Sequence, residues 1–197
     1  MKYLHALHDE FSNILLELER VMRLNNRNAD LAHELSLYTG PQDPDLTAGE
    51  FDSLLMCINT EVQYRPGTGV LDDIISSGKL DLISNDQLRY EITSWESVMQ
   101  FVRFQELEHA KTRSNLVDMM STEGNLRMGI LNALGELYGL TESRFPDTNL
   151  VFLESLEFDN NLIAFFITAK FLNLLYYSRL KERIEKVLSI IEDELKL

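Results

Sequence analysis

The spacing of apolar residues in the first part of the chain constrains the fold more than any other feature. Leu4, Leu7, Phe11, Ile14, Leu18, Val21, Asn25, Asn28, Ala32 and Leu35 step by three and four in strict alternation. Leu15, Met22 and Ala29 widen the stripe. One face of an α-helix recurs every 3.6 residues. The spacing therefore predicts a long amphipathic helix from Lys2 to Tyr38, about 55 Å long at 1.5 Å per residue. Gly40, Pro41 and Pro44 end it in a loop.

Comparable patterns follow. Thr47-Ala-Gly-Glu50 has capping-box spacing, a hydroxyl three residues before a carboxylate. It opens a second helix with Phe51, Leu54, Leu55, Ile58 and Val62 on one face. The segment Arg65–Gly69 (RPGTG) interrupts that helix, and a short one resumes with Val70, Leu71, Ile74 and Ile75, stopping near Gly78. A third long helix is predicted from Asn85 to the Ser121–Gly124 region. Its seam is Leu88, Ile92, Trp95, Met99, Val102, Glu106, His109, Arg113 and Leu116, with Phe101, Phe104 and Leu107 beside it. A short helix is expected over Met128–Tyr138, then a loop with Pro146. The last helix runs from Phe158 to the C-terminus on a seam of Leu162, Phe166, Ala169, Asn173, Tyr176, Leu180, Ile184, Val187 and Ile191. No strand pattern of comparable strength appears. The expected fold class is all-α, a single domain over residues 1–197. Its expected architecture is an elongated antiparallel four-helix bundle of up-down-up-down order, with a split second helix and a short extra helix before the last long one.

Composition narrows the function classes. Apolar residues make up 45% of the 197 residues, enough to bury a core without staples. Cys57 is the only cysteine, so no intramolecular disulfide and no thiolate zinc site can form. The formal net charge of −14 repels phosphate backbones and anionic lipid, which argues against nucleic-acid binding. No signal peptide is legible at the start. The most apolar run, Leu162–Tyr177, is too short to span a bilayer and carries Lys170, so it reads as a buried helix.

The motif-like stretches fail on spacing or charge. Gly78-Lys79 would need a glycine where Asp73 stands and a hydroxyl where Leu80 stands to be a phosphate loop, and Asp72 and Asp73 would repel the phosphate. The Asp43–Leu54 segment has Ala48 and Leu54 where a calcium loop needs Gly and a bidentate Glu. His5, His8 and Asp9 could hold a surface metal, but a half-exposed pair on a fraying turn is the simpler reading. Arg20, Arg23 and Arg27 form a basic stripe whose expected partners are carboxylates of a neighbouring helix.

The polar residues inside the apolar pattern matter more. Glu106-x-x-His109 puts a carboxylate and an imidazole on one helix face, as ferritin-like metal bundles do. Counting heights along an up-down-up-down bundle brings Asn25, Asn28, Glu106, His109 and Asn173 to one layer. One reading is a hydrogen-bonded layer that fixes helix register. The alternative is a ligand-sensing or metal-binding site. A di-metal centre lacks its second Glu-x-x-His, the nearest candidate, Asp30 with His33, lying off the first seam, and asparagine is a weak ligand beside imidazole. No cofactor, metal or catalytic residue is assigned, and no nucleophile–base pair is legible.

The stretch Ser76–Asp86 (SSGKLDLISND) reads as a corner. Gly78 can take the left-handed conformation that closes a helix, Lys79 suits the negative helix end, and Ser84 with Gln87 has capping-box spacing. Leu80, Leu82 and Ile83 would pin the turn. Together with the preceding LDDII and the following QLRYEI, this stretch resembles the signature of a family of bacterial proteins of unknown function, found chiefly in Bacteroidetes-type bacteria. The first and last helices fit that family's general pattern. Its members usually begin with a basic segment and one transmembrane helix; this sequence opens directly on the first domain helix. The resemblance implies a tethered setting, an inner-membrane anchor absent from this chain with the domain in the periplasm. Without that anchor the expected location is cytoplasmic. It implies no activity. The function expected is that of a non-enzymatic interaction or regulatory module, with a protein partner or self-association, no nucleic acid, and membrane contact only through the anchor.

Overall fold

A computed structural model of the chain describes residues 2–41, 45–145 and 148–196; Asp43, Pro44 and Pro146 of the expected loops lie outside them. Most of the described residues are helical, and none of them forms a strand. The helices are α1 (Lys2–Ser36), α2 (Ala48–Ile58), α3 (Gly69–Ser76), α4 (Asp86–Thr93), α5 (Trp95–Thr122), α6 (Leu126–Leu134), α7 (Leu156–Phe171) and α8 (Ser178–Leu195). A π turn over Leu172–Tyr177 joins α7 to α8 without a break, and short 3-10 turns occupy Lys79–Leu82, Gly135–Tyr138 and Asn149–Glu154.

The chain forms two compact units. The first holds Met1–Arg23, Gln63–Glu106 and Asn173–Leu197; the second holds Leu24–Val62 and Leu107–Leu172. In the first unit α1 buries Leu7, Phe11, Ile14, Leu18 and Val21, as its stripe predicts. Phe11 meets Trp95 edge to face at 5.2 Å, a favoured aromatic geometry. α3 packs on α4, and α4 on α8. The first turn of α3 has no local side-chain cap. Glu10 of α1 supplies one instead, its two oxygens accepting from the Val70 and Leu71 N–H groups at 2.7 and 2.8 Å. A carboxylate there satisfies orphan donors and suits the positive helix end. The Gly78 corner forms as expected, with φ 69°. Lys79 pairs with Asp73 at 3.0 Å and lies over the Tyr3 ring. Of the three apolar residues expected to pin it, only Ile83 is buried, and Leu82 is exposed. The cap of the next helix is Asn85, accepting from the Leu88 N–H at 3.0 Å, in place of the expected Ser84.

The second unit has its own core, in which Ala32 and Leu35 of α1, Phe51, Leu55 and Ile58 of α2, Leu116 and Met120 of α5, and Phe158, Leu162 and Phe165 of α7 meet. α2 packs on α6 and on the Asn149–Glu154 turn. The Thr47–Glu50 capping box is present in both directions.

Four expectations are corrected. The third long helix is broken at Ser94, where the Thr93 and Ser94 hydroxyls bond back to the Arg89 and Tyr90 carbonyls at 2.9 and 2.5 Å; such bonds compete with the helical ladder. Phe101, Phe104 and Leu107 are exposed. On the last helix Phe165 and Tyr177 are fully buried in place of Phe166 and Tyr176. The π turn explains the Tyr177 shift: it holds an extra residue, so the buried positions Phe165, Ala169, Asn173 and Tyr177 step by four and leave the heptad. The arginine stripe pairs within its own helix, Arg20 with Glu17 at 2.7 Å and Arg23 with Glu19 at 3.9 Å. Arg27 approaches Cys57.

Candidate functional site: a buried carboxyl between two tyrosines

The first unit holds its most unusual chemistry at Glu106, which is only 4% exposed. Three elements build the site. Pro66 and Gly67 forbid a helix after α2, so the chain runs irregularly through Tyr64. That leaves the Tyr64 N–H without a helical acceptor inside the protein, and it donates to Glu106 Oε1 at 2.9 Å. The π turn brings Tyr177 inward, and its hydroxyl donates to the same oxygen at 2.5 Å. The Tyr64 hydroxyl donates to the Ile14 carbonyl at 3.1 Å, and the two tyrosine rings meet edge to face at 6.5 Å. Glu106 Oε2 is buried with no hydrogen-bond partner.

Burial pushes the Glu106 carboxyl above the ordinary carboxylate range, against the Tyr177 hydroxyl, the Tyr64 N–H and the Arg103 and Arg65 charges, which pull the other way. Both phenols are pushed up, first by burial and then by nearby carboxylates, so they remain donors. One carboxyl oxygen therefore accepts two bonds while the other can carry a proton. Burial in this apolar surround favours the protonated carboxyl.

His109 belongs to the second unit. Its Nδ1 lies 2.9 Å from the Thr168 hydroxyl. The same hydroxyl lies 3.1 Å from the Phe165 carbonyl oxygen and 3.2 Å from the Thr112 hydroxyl. The ring packs at 4.7 Å on Phe165. Burial, then the Arg113 charge, lowers its pKa to about 4, so the ring is neutral at ordinary pH. Glu106 and His109 thus fall in different units, each with partners of its own.

The three asparagines bind backbone. Asn25 donates to the Ala169 carbonyl at 2.8 Å, just before the π turn, and Asn28 to the Thr60 carbonyl at 2.9 Å, just past α2. In the first unit Asn173 donates to the Met22 carbonyl at 3.0 Å. The Ala169 and Thr60 carbonyls lie where a helix changes pitch or ends, and an amide there satisfies what the ladder leaves, whereas Met22 lies within α1.

Other buried polar groups lie outside the expected layer. In the second unit Asp52 is 1% exposed and accepts from the Asn132 and Asn149 side-chain amides, each at 2.6 Å. Asn149 in turn accepts from the Asn125 N–H at 2.6 Å. Gly124 and Gly129 let this network close: a Cβ on Gly124 would lie 2.9 Å from the Met120 carbonyl oxygen and 3.1 Å from Asn149 Oδ1. In the first unit Glu91 pairs with Arg183 at 2.8 Å and Lys186 at 2.9 Å. The visible signal for Asp52 is its place beside Phe51 and three residues before Leu55, on the inner face of an otherwise apolar helix.

His8 pairs with Asp9 and Glu192 at 3.8 and 3.4 Å. Among the described residues no group of three or more His, Cys, Asp or Glu side chains is arranged to hold a metal ion. None of the described helices is long and apolar enough to cross a membrane. Comparison of the chain with protein-family models, with curated proteins and with solved structures gives no match.

Proposed function

We propose that this chain is a non-enzymatic interaction or regulatory module, held at a membrane by an anchor outside the sequence and facing the periplasm. The observation that carries the interaction reading is apolar surface on the first unit: Phe101, Phe104 and Leu174 are each more than half exposed. Large apolar side chains left in water favour a protein partner or a second copy. The tether rests on the resemblance of the Ser76–Asp86 corner to a membrane-anchored bacterial family. We further read the helices as the struts of an antiparallel four-helix bundle in up-down-up-down order, α2 with α3 forming the split second strut.

Sedimentation of the chain and of Phe104→Glu tests the interaction. Self-association or partner binding that Phe104→Glu weakens supports the reading; a monomer that binds no co-purifying partner, unaffected by the substitution, contradicts it. Fractionation of cells expressing the complete gene tests the tether. Recovery with the inner membrane, open to periplasmic labelling, is the expected result.

A second reading, a ligand-sensing site at Glu106 of the first unit, is favoured by one observation, the unpartnered Oε2 of that residue. Metal content of protein purified without chelator, before and after Glu106→Ala with His109→Ala, tests its metal form.

A further inference from the structure

We propose that a groove on the first unit, between α5 and the start of α8, binds a single-headed apolar carboxylate, a medium-chain fatty acid in its chemistry. The groove has a volume of about 470 Å³ and is lined on its apolar side by Val98, Phe101, Val102, Leu175, Tyr176 and Leu180. Small-ligand sites occupy roughly 300–1,000 Å³ and are mostly apolar with a few placed polar groups. The π turn shapes the wall: by turning Tyr177 into the core it leaves Leu175 and Tyr176 outside. Phe101 and Tyr176 then face each other at 5.4 Å.

The polar end selects charge. Arg179, Arg183 and Lys186 line the groove with two carboxylates, Glu91 and Glu182. Three cations against two carboxylates give one net positive charge, on a chain whose net charge is −14. Arg183 and Lys186 are already engaged by Glu91, at 2.8 and 2.9 Å. Arg179 is exposed and forms no ion pair among the described residues. A guanidinium presents two parallel N–H donors that match a carboxylate. One excess positive charge beside an apolar trough fits a monoanion with an alkyl tail. A dianionic phosphate would be undercompensated, and a cationic amphiphile would be repelled.

Calorimetric titration with decanoate, decanol, decyltrimethylammonium and butyrate, all below their micellar concentrations, tests this. Decanoate is expected to saturate at one per chain and to bind about tenfold tighter than decanol. Butyrate and the cation should show no saturable binding. Arg179→Gln should weaken decanoate about tenfold and leave decanol unchanged, whereas Leu175→Gln should weaken both. Unaltered helical content and melting of each variant establish that it is folded. Equal binding of decanoate and the cation, decanoate affinity unchanged in Arg179→Gln, or no saturable decanoate binding would each overturn the proposal. All are measured on the isolated chain, apart from any protein partner.

Discussion

The two units handle buried ionisable groups in opposite ways. The first encloses an acid, Glu106, whose carboxyl is driven toward its neutral form by burial while two donors crowd one oxygen. The second encloses a base, His109, driven toward its neutral form by burial and a nearby arginine. These residues are three apart in the sequence and on one predicted seam. What separates them is their partners: tyrosines around the acid, a threonine and a phenylalanine ring around the base. The lesson is that a Glu-x-x-His spacing defines a face, and the residues opposite decide whether the pair acts together.

The opposite signs have consequences for stability. Burial raises the Glu106 carboxyl above its unfolded value. Its favourable contribution is full below the unfolded carboxylate range and is lost as pH rises through the folded value. His109 behaves the other way. It stays neutral in the folded state down to about pH 4, while the unfolded ring charges near 6.5. Its contribution is full above the unfolded value and is lost as pH falls toward 4.

The comparison can be broken at four places, in descending order of effect. Asp52→Ala removes the acceptor for the Asn132 and Asn149 amides and should cost about 4 kcal/mol. Hydrogen exchange should show the loss in α2 and α6 more than in α3 and α4. Equal loss in both units would mean that they do not open separately. His109→Leu should abolish the acid-side decline: between pH 6.5 and 4 the wild type should lose about 3 kcal/mol relative to the variant in urea titrations. Gly124→Ala forces a methyl against the Met120 carbonyl and the Asn149 side chain, and should cost about 2 kcal/mol in melting experiments. Tyr177→Phe removes one of two donors to Glu106. It should cost about 1 kcal/mol and push the carboxyl higher still, both readable in a pH series of melting curves.

Much of the fold was legible because helical periodicity survives burial. Nine of the ten α1 stripe residues are buried, all except Leu4. The Thr47 capping box and the Gly78 corner needed only local chemistry. The break at Ser94 and the π turn were not legible, since each departs from the period that made the helices visible. The π turn also decides the site. A strict heptad placed Tyr176 inside, and the extra residue brings in Tyr177, the donor that Glu106 uses. Asn25, Asn28, Glu106, His109 and Asn173 stood out in the sequence as polar positions on apolar seams, and all five are buried. Their partners did not stand out. Three are backbone carbonyls, which a side-chain pattern cannot reveal. Glu10 capping α3 over 60 residues of separation is illegible for the same reason.

Burial drives the Glu106 carboxyl and the His109 imidazole toward their neutral forms, raising one and lowering the other. Difference infrared spectroscopy of the wild type against Glu106→Gln, with the imidazole nitrogens of His109 followed by NMR over the same pH range, tests it most directly. A protonated-carboxyl band, absent from Glu106→Gln, is expected to persist above the pH at which ordinary carboxylates ionise. The His109 ring is expected to resist protonation until about pH 4. Ionisation of Glu106 together with the surface carboxylates, or protonation of His109 near its unperturbed value, would contradict it.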